Sequence, residues 1–191
     1  MADVAADEWT VRGIVRRMFP VLVVLTAIEL GSGLVLDTFE GTLLRYPTLL
    51  VLVPVTIGMA GNLGSILASR LSTAFHLGLL SFDATDDRLA GNALATVGLA
   101  VTVFPLVGGG AWAVQAAVGV TRLAPGIVVA VALASGVTLA VLAVVVTTIT
   151  TYAAYRFELD PDDVVIPVVT NVCDVLGVLV LFGVVRVLVS G

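Results

Sequence analysis

The chain contains no lysine, one cysteine and one histidine; 12% of its 191 residues are charged and 6% are aromatic. A lone cysteine cannot close an intramolecular disulfide, so the fold does not depend on oxidation. His76 and Cys173 stand far apart in the sequence, which leaves no His/Cys cluster to favour zinc or copper. Nine arginines face 14 acidic residues, for a net charge of −5 without a basic cluster, and this excludes the electrostatic footprint of a nucleic-acid-binding protein. No serine or cysteine nucleophile is paired with a base, and no metal cluster suits hydrolysis, so the sequence does not support an enzyme. Long polar stretches are also missing, which leaves no room for a sizeable soluble domain.

What the chain does have is apolar sequence: 59% of its residues are hydrophobic and the mean hydropathy is +1.15. It reads as an all-α, multi-pass protein of the cell membrane, with membrane lipid as its surroundings. A helix needs about 20 apolar residues to cross roughly 30 Å of hydrocarbon. The charged segments divide the chain into a cytoplasmic N-terminal segment (1–18) and a membrane domain (19–191) of five helices, at about 19–36, 46–75, 89–107, 126–155 and 164–189. The first apolar run lacks a small-residue cleavage pattern and contains Glu29, so it is expected to be a retained span rather than a signal peptide. Gly108-Gly-Gly110 is expected to turn the chain after the third helix, and Trp9 and Trp112 to lie near opposite interfaces. Arg12, Arg16, Arg17, Arg70, Arg88 and Arg156 fall on one side of such a bundle and Arg45, Arg122 and Arg186 on the other, which places the N-terminus in the cytoplasm.

The second and fifth helices share a layout: an inner proline followed by a polar side chain, Pro54 with Asn62 and Pro167 with Asp174. Proline in a spanning helix frees a backbone carbonyl, which is tolerated where the helix lines a cavity or packs on protein. A carboxylate in hydrocarbon is expensive unless it faces water or a partner, which makes Asp174 the leading functional candidate. Thr170 and Asn171 lie on roughly its face, and Gly58, Gly61, Ser65 and Ser69 surround Asn62 at helical spacing. This is hard oxygen chemistry, suited to Mg²⁺ held largely hydrated. One such carboxylate per chain is little for a divalent ion, and a symmetric homodimer would bring two together.

The run Pro54-Val-Thr-Ile-Gly-Met-Ala-Gly61-Asn62-Leu-Gly64, continuing into Ala68-Ser-Arg-Leu-Ser-Thr-Ala74, resembles the second membrane helix of the MgtE superfamily of magnesium transporters. Its Ala-Ser-Arg-Leu-Ser-Thr tail is most similar to the eukaryotic solute-carrier relatives. Asp160-Pro161, Pro167, Thr170 and Asp174-Val-Leu-Gly177 resemble the signature of the last helix of that family. The resemblance implies a pore between two subunits lined by the second and fifth helices, with Asp174 as the main ion-binding side chain. It also implies Thr170, Asn171, Gly61 and Asn62 as neighbouring pore positions. Bacterial members carry large cytosolic magnesium-sensing domains, whereas about 18 residues precede the first span here, so a half-size member is expected. Many bacterial members also have a glutamate where this chain reads Ala90-Gly-Asn92, while Glu29 is an addition to the bacterial pattern.

Each residue also has a plainer reading. Asp174 and Asn62 can serve as interhelical hydrogen-bonding groups, and Glu29 can line the path, couple transport to protons or sodium, or bond a neighbouring helix. His76 reads as interfacial and Cys173 as a small packing residue. The aspartates at 83, 86, 87, 160, 162 and 163 read as solvated loop residues and caps, with a surface divalent-sensing site as the sharper alternative. The leading functional expectation is a magnesium-permeable homodimer. Its rivals are a sodium- or proton-coupled magnesium exporter and a membrane scaffold subunit that does not transport.

Overall fold

A computed structural model of the chain describes residues 10–80, 86–159 and 161–189. The elements are α1 (Val11–Asp37), α2 (Glu40–Arg45), α3 (Thr48–His76), α4 (Asp87–Ala117), α5 (Pro125–Arg156) and α6 (Pro161–Val189). No strand occurs among the described residues. Five of the helices, α1, α3, α4, α5 and α6, are long and apolar enough to cross a membrane. The second, fourth and fifth spans agree closely with the expected boundaries. Trp9, Asp83 and Asp160 lie outside the described residues, as do the side chains of Arg17, Asp162 and Asp163.

Two boundaries differ from the sequence reading. The first helix begins at Val11 rather than near Phe19, because the Thr10 side chain caps it by accepting a hydrogen bond from the Gly13 N–H at 3.1 Å. Arg12 and Arg16 therefore ride on a helix instead of a loose segment. The larger correction concerns Gly108-Gly-Gly110, which is not a turn: α4 runs through it to Ala117. A Cβ at Gly108 would lie 2.9 Å from both the Cβ of Ala132 and the Cα of Val129, so this glycine is the point where α4 presses against α5. The real reversal is Val118 to Ala124, where Gly119 adopts φ 78° and Pro125 opens α5. The Trp112 indole donates to Leu123 O at 3.2 Å and the Gln115 amide to Pro47 O at 3.0 Å, tying down this end of the bundle.

Helix ends follow one design. Gly78 (φ 65°) closes α3 with Gly78 N–H to Phe75 O and Leu79 N–H to Ala74 O, both 2.8 Å. This is the paired-bond pattern of a glycine C-cap. The same bonds end α5 with Glu158 at φ 55°, a left-handed position held without glycine.

Four helices, α3 to α6, form the packed body, with α5 against α3, α4 and α6, and α6 also against α3. The packing is close because small residues meet large ones: a Cβ on Gly136 of α5 would fall 2.0 Å from the Phe104 ring of α4, which is fully buried. At one end of the bundle Phe39 stacks on Phe182 with ring centroids 4.0 Å apart, among buried Leu49, Leu52, Leu181 and Val185. Midway the core turns to small side chains, with Ala60, Ala68, Ala143, Val169 and Cys173 packed together. Bulky residues would hold α3 and α6 apart there. Alanine and glycine let the two backbones approach.

Candidate metal path at the crossing of α3 and α6

The antiparallel α3 and α6 touch through three glycines. A Cβ on Gly177 would meet Ile57 Cγ1 at 2.9 Å, and one on Gly64 would meet Val169 Cγ1 at 2.6 Å and Cys173 Sγ at 3.4 Å. Between them a Cβ on Gly61 would lie 3.3 Å from Thr170 Cγ2 and 3.5 Å from Asp174 Oδ1. The Asp174 carboxylate thus lies over the backbone of α3 at Gly61, where an added Cβ would be in van der Waals contact with it and tight against the Thr170 methyl. Cys173, one position earlier, points the other way into the small-residue core.

Neighbouring polar groups are partly committed to their own helix. The Thr170 hydroxyl donates to Ile166 O at 2.9 Å and the Asn171 amide to Pro167 O at 3.0 Å. That bond uses the nitrogen of Asn171 and leaves its Oδ1 buried without a partner. A buried amide oxygen without a donor costs free energy, and a cation or its water would offset that cost. Asp174 itself is half-buried, and among the described residues no side chain or backbone group pairs with it through a hydrogen bond or ion pair.

Of the residues singled out in the sequence, the structure brings Gly61, Thr170 and Asp174 into one contact region, with Asn171 a turn away on α6. Asn62 is exposed on an adjoining face of α3, and the Ser65 hydroxyl donates to the Asn62 backbone carbonyl at 3.1 Å. Pro54 and Pro167 sit inside continuous helices. Inner prolines are not confined to these two spans, since Pro20 lies in α1 and Pro105 in α4. What the sequence reading did not join is Glu29 to Asp174. Helix α1 packs on α6, and the Glu29 carboxylate comes within electrostatic reach of Asp174. A signal was present: Pro20 precedes Glu29 much as Pro167 precedes Asp174.

Among the described residues no three His, Cys, Asp or Glu side chains gather to hold an ion. The arrangement is therefore one of sparse charge plus neutral oxygen, suited to passing a hydrated cation and not to storing a bare one.

The profile of the MgtE family, described as divalent cation transporters, matches residues 53–184, more than half of the chain. The chain belongs to that family. Its matched region starts in α3 and ends in α6, so it contains most of the packed body and the Gly61–Asp174 contact. No match was found among curated proteins. The family match together with five helices apolar and long enough to cross a membrane makes this a multi-pass membrane protein of a divalent cation transporter family.

Proposed function

We propose that this protein carries Mg²⁺ across the cell membrane along a path centred on Asp174, between α3 and α6. The observation that carries the reading is the half-buried Asp174 carboxylate, without a protein partner, lying against Gly61 within the family-matched region. A carboxylate kept in an apolar bundle without a counter-charge is costly, and a passing cation supplies that charge. The Asn171 oxygen and the Thr170 region add neutral polar groups that can bond to the water of a hydrated ion. Because one chain brings so little charge to this point, the path is completed in a homodimer, where a second copy adds its own Asp174.

The test is Mg²⁺ flux into liposomes containing the purified protein, wild type beside Asp174→Asn. The amide keeps the shape and removes the charge, so flux should fall to the level of empty liposomes while reconstitution is unchanged. Wild-type flux in the variant would sink the assignment. Separately, cross-linking or light scattering in membrane mimetic should report a dimer, and a transporting monomer would remove the second copy from the path.

A second reading is favoured by one observation, the packing of α1, which carries Glu29, against α6, which carries Asp174. A second carboxylate whose charge acts on Asp174 can take up a proton or sodium ion when the divalent ion leaves, which is the requirement of a coupled exporter. Flux that responds to an opposing sodium or proton gradient supports it. Flux indifferent to both makes the protein a channel.

A further inference from the structure

Away from Asp174, the end of α3 and the start of α4 enclose a cleft of about 550 Å³. Its volume lies in the range of small-molecule sites. Two arginines line it, Arg70 from the last turns of α3 and Arg88 from the first turn of α4, together with Ser69, Thr73 and Asn92. Among the described residues neither arginine has a carboxylate partner, and the two guanidinium groups line one cleft. Of the described acids nearby, Asp86 caps α4 by accepting from Arg88 N–H at 2.8 Å and Leu89 N–H at 3.3 Å, and Asp87 is not among the residues that line the cleft.

The cleft is also pre-arranged. Arg70 Nε donates to Asn92 Oδ1 at 2.6 Å, while Asn92 Nδ2 donates to Arg88 O at 2.8 Å. Asn92 therefore clamps the Arg70 guanidinium by its inner nitrogen and leaves the terminal fork free. A free, oriented fork matches the oxygens of a phosphate group, which it binds through paired charge-assisted hydrogen bonds. The Ser69 hydroxyl adds a donor on the same wall. Leu77 and Leu79 form an apolar rim, 65% and 44% exposed, where a diacylglycerol body would lie.

We infer that the Arg70–Asn92–Arg88 cleft is a phosphate-binding site at the arginine-rich end of the bundle, filled by the headgroup phosphate of an anionic phospholipid or by a free phosphate compound. Anionic headgroups are drawn to basic pockets between membrane helices at that level. The site joins α3, which carries Gly61, to α4, so its occupancy bears on the helix that faces Asp174. It does not depend on the transport reading: a cleft that binds phosphate in a protein without flux would stand.

The experiment uses the full chain in nanodiscs and native mass spectrometry, with phosphatidylglycerol as one probe and inorganic phosphate as the other. Wild type should retain phosphatidylglycerol over phosphatidylcholine, and the pair Arg70→Gln/Arg88→Gln should lose that preference, with affinity down about tenfold or more. Retention that resists millimolar inorganic phosphate identifies lipid as the source, and displacement by it identifies a free phosphate compound. The control pair Arg122→Gln/Arg186→Gln removes the same charge at the other end. Equal loss in both pairs, or no loss in either, overturns the site. Arg88→Gln alone, at an exposed first-turn position, gives the same readout if the double variant is poorly assembled.

Discussion

Helices α1 and α5 look alike as sequence, since both are long, apolar and free of charge over most of their length, yet they occupy opposite environments. In the most apolar stretch of α5, 44% of residues are buried, against 6% in α1. Lipid is as apolar as leucine, so hydropathy cannot tell a core helix from a peripheral one in a membrane protein. Side-chain size can. Helix α5 turns Ala132, Gly136, Ala140 and Ala143 to its neighbours, whereas α1 presents Leu22, Val23, Ile28 and Leu34 outward. The family match follows the same division, covering α3 from Val53 through α6 to Val184 and omitting α1. Small-residue contacts are sensitive to every added atom, while a lipid-facing surface is not.

That contrast is sharpest at the glycines. Gly136→Ala would drive a methyl into the Phe104 ring, with the ideal Cβ 2.0 Å from Cγ and 2.2 Å from Cδ2. The ring is fully buried between helices and cannot swing aside, so the α4–α5 contact must open. Overpacking of this kind should cost about 3 kcal/mol, seen as a large drop in thermal midpoint in detergent. A variant as stable as wild type would mean that α4 and α5 do not meet there.

Much of this was legible in the sequence, and the failures share a cause. Spans two, four and five could be placed from apolar length and flanking charge because Arg45, the acidic segment at 83–87, Arg122 and the polar segment from Arg156 to Asp163 punctuate them. The third was cut short at Gly108-Gly-Gly110 because three glycines signal a turn in soluble sequence. In a membrane bundle the same residues allow close helix approach, and Ala132 sitting against Gly108 is a partner that only the fold reveals. The candidate site divides in the same way. Asp174 and Gly61 stood out by chemistry and spacing, but the approach of Glu29 depends on α1 packing against α6, a pairing that local sequence does not encode. The arginine cleft was missed for a related reason: Arg70 and Arg88 were counted for topology, and their convergence through Asn92 crosses a helix-to-helix connection.

Glu29 is where the peripheral helix acquires a role of its own. If its carboxylate adds to the field at Asp174, Glu29→Gln should weaken divalent binding by roughly threefold to tenfold without disturbing assembly, read as a higher half-saturating Mg²⁺ concentration in liposome flux. In the coupled-exporter reading the same substitution also removes the response to a sodium or proton gradient. An unchanged half-saturation with an unchanged gradient response would return α1 to a purely lipid-facing helix.

The smallest effect is expected on the exposed side of α1. Gly33 lies inside the helix with nothing within 4 Å of the position of an added Cβ. Gly33→Ala therefore meets no steric cost there and gains the helix preference of alanine, about 0.5–1 kcal/mol, so the thermal midpoint should hold or rise slightly. The measurement also discriminates because the homodimer proposed above must bury some outer face of this bundle. If alanine at Gly33 lowers stability, or shifts the dimer towards monomer, a second copy presses on α1 at that glycine, and the face that looks idle in one chain is the contact between two.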